Sequence, residues 1–347
     1  MGSRTIFHVR GFVTWCMKQQ KNKLSLEELN IRMSYPLEAK IHMSKMRIRQ
    51  FIREHGEDGV YISYSGGKDS DVLLHLCRSM YPDLIAVFID TPMEFPQVRE
   101  HAETIDNLIR IRPKENIKEI IKENGFCFPS KETATLIKDY RKGLPYAIKK
   151  INGLDKDGNE SVYRSQFKKW KALAESEYEI SNGCCIEMKE KPAIEFEKET
   201  GRCPILGIRA EESSRRKNAY LKTGCISYGN RPTLKCIAFW TEQDILQYIR
   251  QNDIRIASPY GEIVEENRQM CLPGFEEAFP SKLKLTGEPR LGCMFCCVGC
   301  HLDYKDGKFQ KFERLRKFNE PLYNYCMKEL GVGKFLKYVE KNFVKGD

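Results

Sequence analysis

Six consecutive residues, Ser65-Gly66-Gly67-Lys68-Asp69-Ser70, put two hydroxyls, two glycines, a lysine and a carboxylate at a spacing suited to holding a phosphate. Val60, Tyr61 and Ile62 before them are apolar and β-prone, which predicts a buried strand. Asp71-Val72-Leu73-Leu74-His75-Leu76 after them opens an amphipathic helix. Strand, small-residue turn and helix in that order aim unpaired amides and the positive end of a helix dipole at one spot, where an anion is favoured. The glycines let the backbone come close to the anion, where a Cβ would stand in the way. The spacing differs from the G-x-x-x-x-G-K-[ST] of kinases and GTPases. A Gly-Gly turn with no ligand is the plainer alternative.

Cysteine is the second chemical signal, with fourteen in the chain. Cys184-Cys185, followed by Lys189 and Pro192, and the Cys-x-x-Cys of Cys293 and Cys296 are the tightest groupings. Cys271, Cys297, Cys300 and His301 lie near the second of these in sequence. Clustered thiolates suit iron–sulfur clusters or zinc, although adjacent cysteines are an awkward pair for tetrahedral zinc. Cys16, Cys77, Cys127 and Cys236 read as small buried hydrophobes. The opening residues carry no secretory pattern, so metal or redox chemistry is expected rather than a disulfide framework.

Two further groups could meet an anion. Asp90 and Thr91 end a strand-like run, the edge of an open sheet where ligands gather. Gly207-Ile208-Arg209 with Ser213 and Arg216 places guanidinium forks after another strand, and such forks bind tetrahedral oxyanions in pairs of hydrogen bonds.

The elements that must carry these residues alternate. A helix is expected over 36–56, with Lys40, Lys45, Arg47 and Arg49 on its polar side, then strands near 60–62, 84–90, 107–112 and 204–208. Helices are expected at 96–105, 116–123, from Pro192 to about 199, and 245–251 behind a capping-box-like Thr241-Glu-Gln-Asp244. Alternation of this kind predicts an α/β fold with an open, mainly parallel sheet and helices on both faces. The expected division is an N-terminal extension at 1–35, a nucleotide-binding domain at 36–257 and a cysteine-rich, helical C-terminal region at 258–347. A net charge of +10 is concentrated in part in a basic insertion at about 138–180, where Tyr140, Tyr146, Tyr163 and Trp170 are interleaved with lysines and arginines. Such a surface could follow a nucleic-acid backbone, or be a solvated lysine-rich insertion. No apolar run reaches 18 residues, so no membrane span and a cytoplasmic location are expected.

The loop at 65–70 resembles the Ser-Gly-Gly-x-Asp-Ser loop of the PP-loop ATP pyrophosphatases and adenylyl-sulfate reductases, the adenine nucleotide alpha-hydrolase-like superfamily. Asp90-Thr91-Pro92-Met-Glu94-Phe95-Pro96 is similar to the reductases' Asp-Thr-Gly-x-x-[Phe/Tyr]-Pro, with Pro92 in the place of glycine. Residues 207–216 resemble their Gly-x-Arg-x-x-[Glu/Gln]-Ser-x-x-Arg, and Cys184-Cys185-x-x-x-Lys189-x-x-Pro192 with Cys293-x-x-Cys296 resembles the motifs of the iron–sulfur members. The resemblance runs over roughly 36–300 in the family's order. It implies a nucleotide site of Ser63, Ser65, Gly66, Gly67, Lys68, Asp69, Ser70, Asp90, Thr91, Arg209 and Ser213, with Lys68, Asp69, Arg209 and Arg216 acting on the phosphates. It also implies a [4Fe–4S] cluster on Cys184, Cys185, Cys293 and Cys296; the nearness in sequence of Cys271 and Cys300 leaves Cys271, Cys293, Cys296 and Cys300 as a second arrangement. Implied cofactors are ATP or an adenylyl sulfate-type nucleotide, the cluster, and Mg2+ as a companion of the nucleotide.

The sulfite-releasing members use a cysteine in a C-terminal Glu-Cys-Gly-x-His, which nothing here matches; Cys326 sits in a helix-like stretch. The chain also resembles the PP-loop enzymes that thiolate tRNA and the reductase-like proteins of DNA phosphorothioation systems, and this resemblance implies an adenylating sulfurtransferase acting on tRNA or DNA, with a sulfur-donor or reductant protein as partner. Alternatives are a sulfonucleotide reductase, or a nucleotide- and cluster-binding subunit without catalysis of its own.

Overall fold

The computed structural model describes residues 23–266 and 282–344. Strands β1 (Val60–Tyr64), β2 (Ala86–Ile89), β3 (Leu108–Ile111), β4 (Cys203–Leu206), β5 (Ile226–Ser227) and β6 (Thr233–Leu234) form one sheet in the order β3-β2-β1-β4-β6-β5. The β1–β4 and β4–β6 pairs are parallel, and β5 closes the edge antiparallel to β6. The α/β fold and its mainly parallel sheet are thus as expected. Placing β1 between β2 and β4 reverses the winding direction there, so the carboxyl end of β1 is a topological switch point.

The chain divides into two compact units: Met1–Val87, Asp106–Ile109 and Thr200–Pro289, and Phe88–Ile105, Arg110–Glu199 and Arg290–Asp347. The boundary runs through β2 and β3. In the first unit, Val60, Tyr61 and Ile62 are buried, as are Val72, Leu73, Leu76 and Cys77 of the helix Lys68–Arg78. The helix Leu37–His55 adds Ile48, Phe51 and Ile52. Lys40, expected on that helix's polar side, is instead buried and paired with Asp244 at 2.6 Å. The reason lies 200 residues on: Thr241 and Asp244 form the anticipated capping box at the head of Glu242–Gln251, and its carboxylate needs a cation once buried.

The second unit packs Phe128, Trp170, Phe335 and the half-buried His301 ring on ring. Trp170, expected among the exposed aromatics of the basic insertion, belongs to this core. Arg141 is likewise internal in role, donating to the carbonyls of Leu173, Ala174 and Ser176. Pro192 does not start its helix. Helical backbone begins at Gly183, widens into a π-turn over Ile186–Glu190 and continues as Lys191–Thr200. Proline has no N–H to give the ladder, and a wide turn immediately before it eases the mismatch. No helix of the described residues is long and apolar enough to cross a membrane.

Candidate functional site

The first unit carries the phosphate loop. β1 ends at Tyr64, Gly66 turns the chain with φ +68°, and the helix begins at Lys68. A positive φ of this kind is cheap only for glycine. Ser70 Oγ lies 3.2 Å from Ser65 Oγ and donates to the Gly67 carbonyl at 2.7 Å, which fixes the turn. The Gly66 and Gly67 amides have no backbone acceptor among the described residues, as an anion cradle requires. Gly207, after β4, packs against the loop's helix: a Cβ there would sit 3.2 Å from the Asp69 carbonyl oxygen. Ser63 lies within β1, opposite Leu206.

The basic groups at this loop are already engaged. Lys68 is buried, with Nζ 3.2 Å from Glu242 Oε1, 3.6 Å from Asp69 Oδ2 and donating to the Pro289 carbonyl at 3.3 Å. Tyr260 accepts from the Lys68 amide at 3.1 Å. Arg209 is buried too and spends all three guanidinium nitrogens: Nε on Asp69 at 2.5 Å, NH1 on Glu211 at 2.8 Å and NH2 on Glu242 at 2.6 Å. Burial opposes its charge, but Asp69 and Glu242 outweigh burial and raise its pKa. Ser213 caps the helix Ser214–Thr223 by accepting from the Arg216 amide, and the Arg216 side chain pairs with Glu212. Sequence reasoning thus found Lys68, Asp69 and Arg209, which the structure brings together. It missed Glu242, whose only trace is its place at the first turn of a well-capped helix.

The second unit carries the cysteines. Cys184, Cys185, Cys293 and Cys296 line one cavity of about 70 Å³, walled by Met93, Met188, Phe295 and other apolar side chains. Cys127 and Cys297 line it as well. Cys127 does more than fill space: it and Cys184 neighbour Cys185, and these thiols, aided by Lys131 and Lys189, lower the Cys185 pKa against the opposing effect of burial. Burial pushes Cys293 up to about 12 against the pull of Lys189. Lys189 bonds Glu94 at 2.6 Å; burial opposes its charge, and Cys293 and Glu94 overcome this and raise its pKa. Two features hold the Cys293–Cys296 loop: Met294 N donates to the Met93 carbonyl at 2.8 Å, and Phe295 adopts φ +55°, a strained value for a bulky residue. Cys300 is buried beside Cys296 and Cys297 but does not line the cavity, and Cys271 lies outside the described residues. Cys77 and Cys236 are buried, as expected of packing thiols.

Among the described residues no group of three or more His, Cys, Asp or Glu is arranged to hold a metal ion. The donor chemistry of the cavity nonetheless fits a cluster: the lining groups able to ligate are soft sulfurs in an apolar shell. An iron–sulfur cube also takes its ligands from around a body larger than one ion.

The sequence profile of the phosphoadenosine phosphosulfate reductase domain matches residues 59–153 and 126–301. The chain belongs to this family. Its match covers the phosphate loop and the cysteines that line the cavity, and the reductase family read from the residues is borne out. Phosphoadenosine 5'-phosphosulfate reductases of Xylella fastidiosa, strains M23 and Temecula1, are each 34% identical over 61 residues, 18% of this chain. That stretch spans about a quarter (26%) of those relatives' length. Among solved structures, the phosphoadenylyl-sulfate reductase of Candida auris in its phosphate complex is similar at 17% identity and a TM-score of 0.37, covering 68% of this chain and 90% of that one. The FMN adenylyltransferase of Candida glabrata in complex with ATP is similar at 15% identity with the same score, covering 70% and 72%.

In this reductase-domain chain the residues at the end of β2 are held by their own network. Asp90 is buried and accepts from Arg99 Nε at 2.7 Å, Arg110 NH2 at 3.2 Å and Arg112 Nε at 3.3 Å. Thr91 is fully buried and donates to Glu94 at 3.1 Å. A cavity of about 540 Å³ opens beside Asp90, lined also by Arg99, Arg112, Asn116 and Tyr325. Burial raises the Asp90 pKa, but the hydrogen bond and charge of Arg99, with Arg112 and Arg110, bring the net value below the ordinary range. A depressed carboxylate pKa contributes stability above the unfolded value near 4, and that contribution disappears as pH falls through the folded value. Asp90→Asn is therefore expected to cost about 2–3 kcal/mol at pH 7, less than a wholly buried pair because the arginines are partly solvated. Denaturant titrations should show the gap from wild type shrinking below about pH 4, whereas a gap independent of pH would remove the charge from the explanation.

Proposed function

We propose that this protein activates a nucleic-acid substrate with ATP and replaces the activated oxygen by sulfur, with a [4Fe–4S] cluster as resident cofactor. The observation that supports it most is the pairing, in one reductase-family chain, of an intact Ser-Gly-Gly-Lys-Asp-Ser cradle with a cysteine-lined cavity. Cys326, the cysteine of the C-terminal helices, is fully buried, and burial pushes its pKa up to about 12. A thiol in that state is a poor nucleophile toward a sulfonucleotide.

In the first step a substrate oxygen attacks the α-phosphorus of ATP, forming an adenylated substrate and releasing pyrophosphate. The Gly66 and Gly67 amides and Lys68 bind the phosphates, Arg209 and Arg216 stabilise the charge that gathers on the leaving pyrophosphate, and Asp69 orients Arg209 or a bound Mg2+. In the second step hydrosulfide, delivered as such or by a sulfur-donor protein, attacks the activated carbon or phosphorus, and AMP leaves with the former substrate oxygen. Cys184, Cys185, Cys293 and Cys296 would hold the cluster, which when bound supplies a one-electron redox centre. On the basic insertion, Lys142, Lys168, Lys169 and Lys171 are exposed, as are Tyr146 and Tyr163, and these would meet the nucleic acid.

A second reading, reduction of adenylyl sulfate or its 3'-phosphorylated form to sulfite, is favoured by the family itself. Pyrophosphate release separates the two. Anaerobically purified protein given ATP is expected to release pyrophosphate and AMP, faster with tRNA or DNA, and to be indifferent to Cys326→Ser. Sulfite from adenylyl sulfate, lost in Cys326→Ser, would establish the reductase instead.

A further inference from the structure

We propose that Glu242 is an internal stand-in for phosphate, which the nucleotide must displace from Lys68 and Arg209. The inference rests on the nucleotide reading of this loop and adds a residue that tunes its affinity. Glu242 bridges the two cations with its two oxygens, Oε1 3.2 Å from Lys68 Nζ and Oε2 2.6 Å from Arg209 NH2. Two oxygens of one phosphate group would make the same pair of contacts. Lys68 and Arg209 are both buried, whereas the Glu242 side chain is 37% exposed. It is the first residue of its helix, so its carboxylate can swing to solvent without disturbing the Thr241–Asp244 cap.

Charge decides the sign of the effect. Lys68 and Arg209 face three carboxylates, Asp69, Glu211 and Glu242. This group of five is net negative with Glu242 in place and balanced once it turns away. Holding Glu242 inward keeps buried cations partnered while the loop is empty, since an unpaired buried charge is costly. The same contact lowers nucleotide affinity by the free energy needed to break it. Glu211 touches Arg209 at 2.8 Å and accepts from the Glu242 amide at 2.6 Å, with no contact to Lys68 among the described pairs. It provides a control of equal charge.

The test is calorimetric titration of the full chain with inorganic pyrophosphate and with ATP, in buffer free of divalent ions, for wild type, Glu242→Gln and Glu211→Gln. Glu242→Gln is expected to tighten binding about tenfold and Glu211→Gln by less than about threefold. Should Glu242→Gln fold poorly by circular dichroism, Glu242→Ala frees the same cations and serves in its place. Equal gains in both variants would reduce the effect to general charge and overturn the proposal, as would unchanged or weaker binding in Glu242→Gln. Binding by the variant alone would support it strongly. No binding by any form would overturn the nucleotide reading of the loop itself, and with it this inference.

Discussion

Cys293→Ser is expected to take anaerobically purified protein from about four iron atoms per chain to less than about one, with loss of the visible iron–sulfur absorption. Cys293 lines the cysteine cavity beside Lys189, in a loop fixed by the Met294–Met93 hydrogen bond and the strained Phe295. A serine there keeps the shape but replaces a soft sulfur by a hard oxygen, which a cluster binds poorly. The fold should largely survive, because the first unit shares no residue with this cavity. Iron and acid-labile sulfide analysis checks the result. Full iron content in the variant would exclude Cys293 as a ligand, and zinc in place of iron in wild type would exclude the cluster. The same assay on Cys127→Ser shows whether this additional thiol, which lines the cavity with Cys185, matters to loading.

Arg209→Ala should be the most damaging change at the phosphate loop. It would leave Asp69 and Glu242 to Lys68 alone and Glu211 without its cation, and removing one member of a buried ion network costs about 3 kcal/mol or more. Thermal denaturation is expected to drop by roughly 6–10 °C. Nucleotide affinity should fall about a hundredfold, since the loop then loses a phosphate fork and gains net negative charge. Adding Glu242→Gln to Arg209→Ala should recover part of both losses, because it removes one of the stranded carboxylates. Stability lost with affinity intact would make Arg209 a structural residue only.

What could be read from the chain was set by short-range rules. The order of β-prone residues, Gly66-Gly67 and an amphipathic helix dictates a strand–turn–helix because each step depends on residues within a few positions. The Thr241 capping box and the pairing of Cys293 with Cys296 were legible for the same reason. Tertiary structure decided the rest. Cys127, read as a packing thiol, reaches the cysteine cavity from 57 positions before Cys184, and no local spacing encodes that approach. Lys40 looked like a surface cation until Asp244 claimed it in the core, and Trp170 looked like a stacking platform until Phe128 and His301 enclosed it. Likewise Arg209 was recognisable as an anion-binding residue, but not that Glu242, 33 residues later, already holds it. Backbone conformation follows neighbours in sequence; the partner of a buried charge or thiol is whichever group the packing brings within reach, and burial makes that partner obligatory.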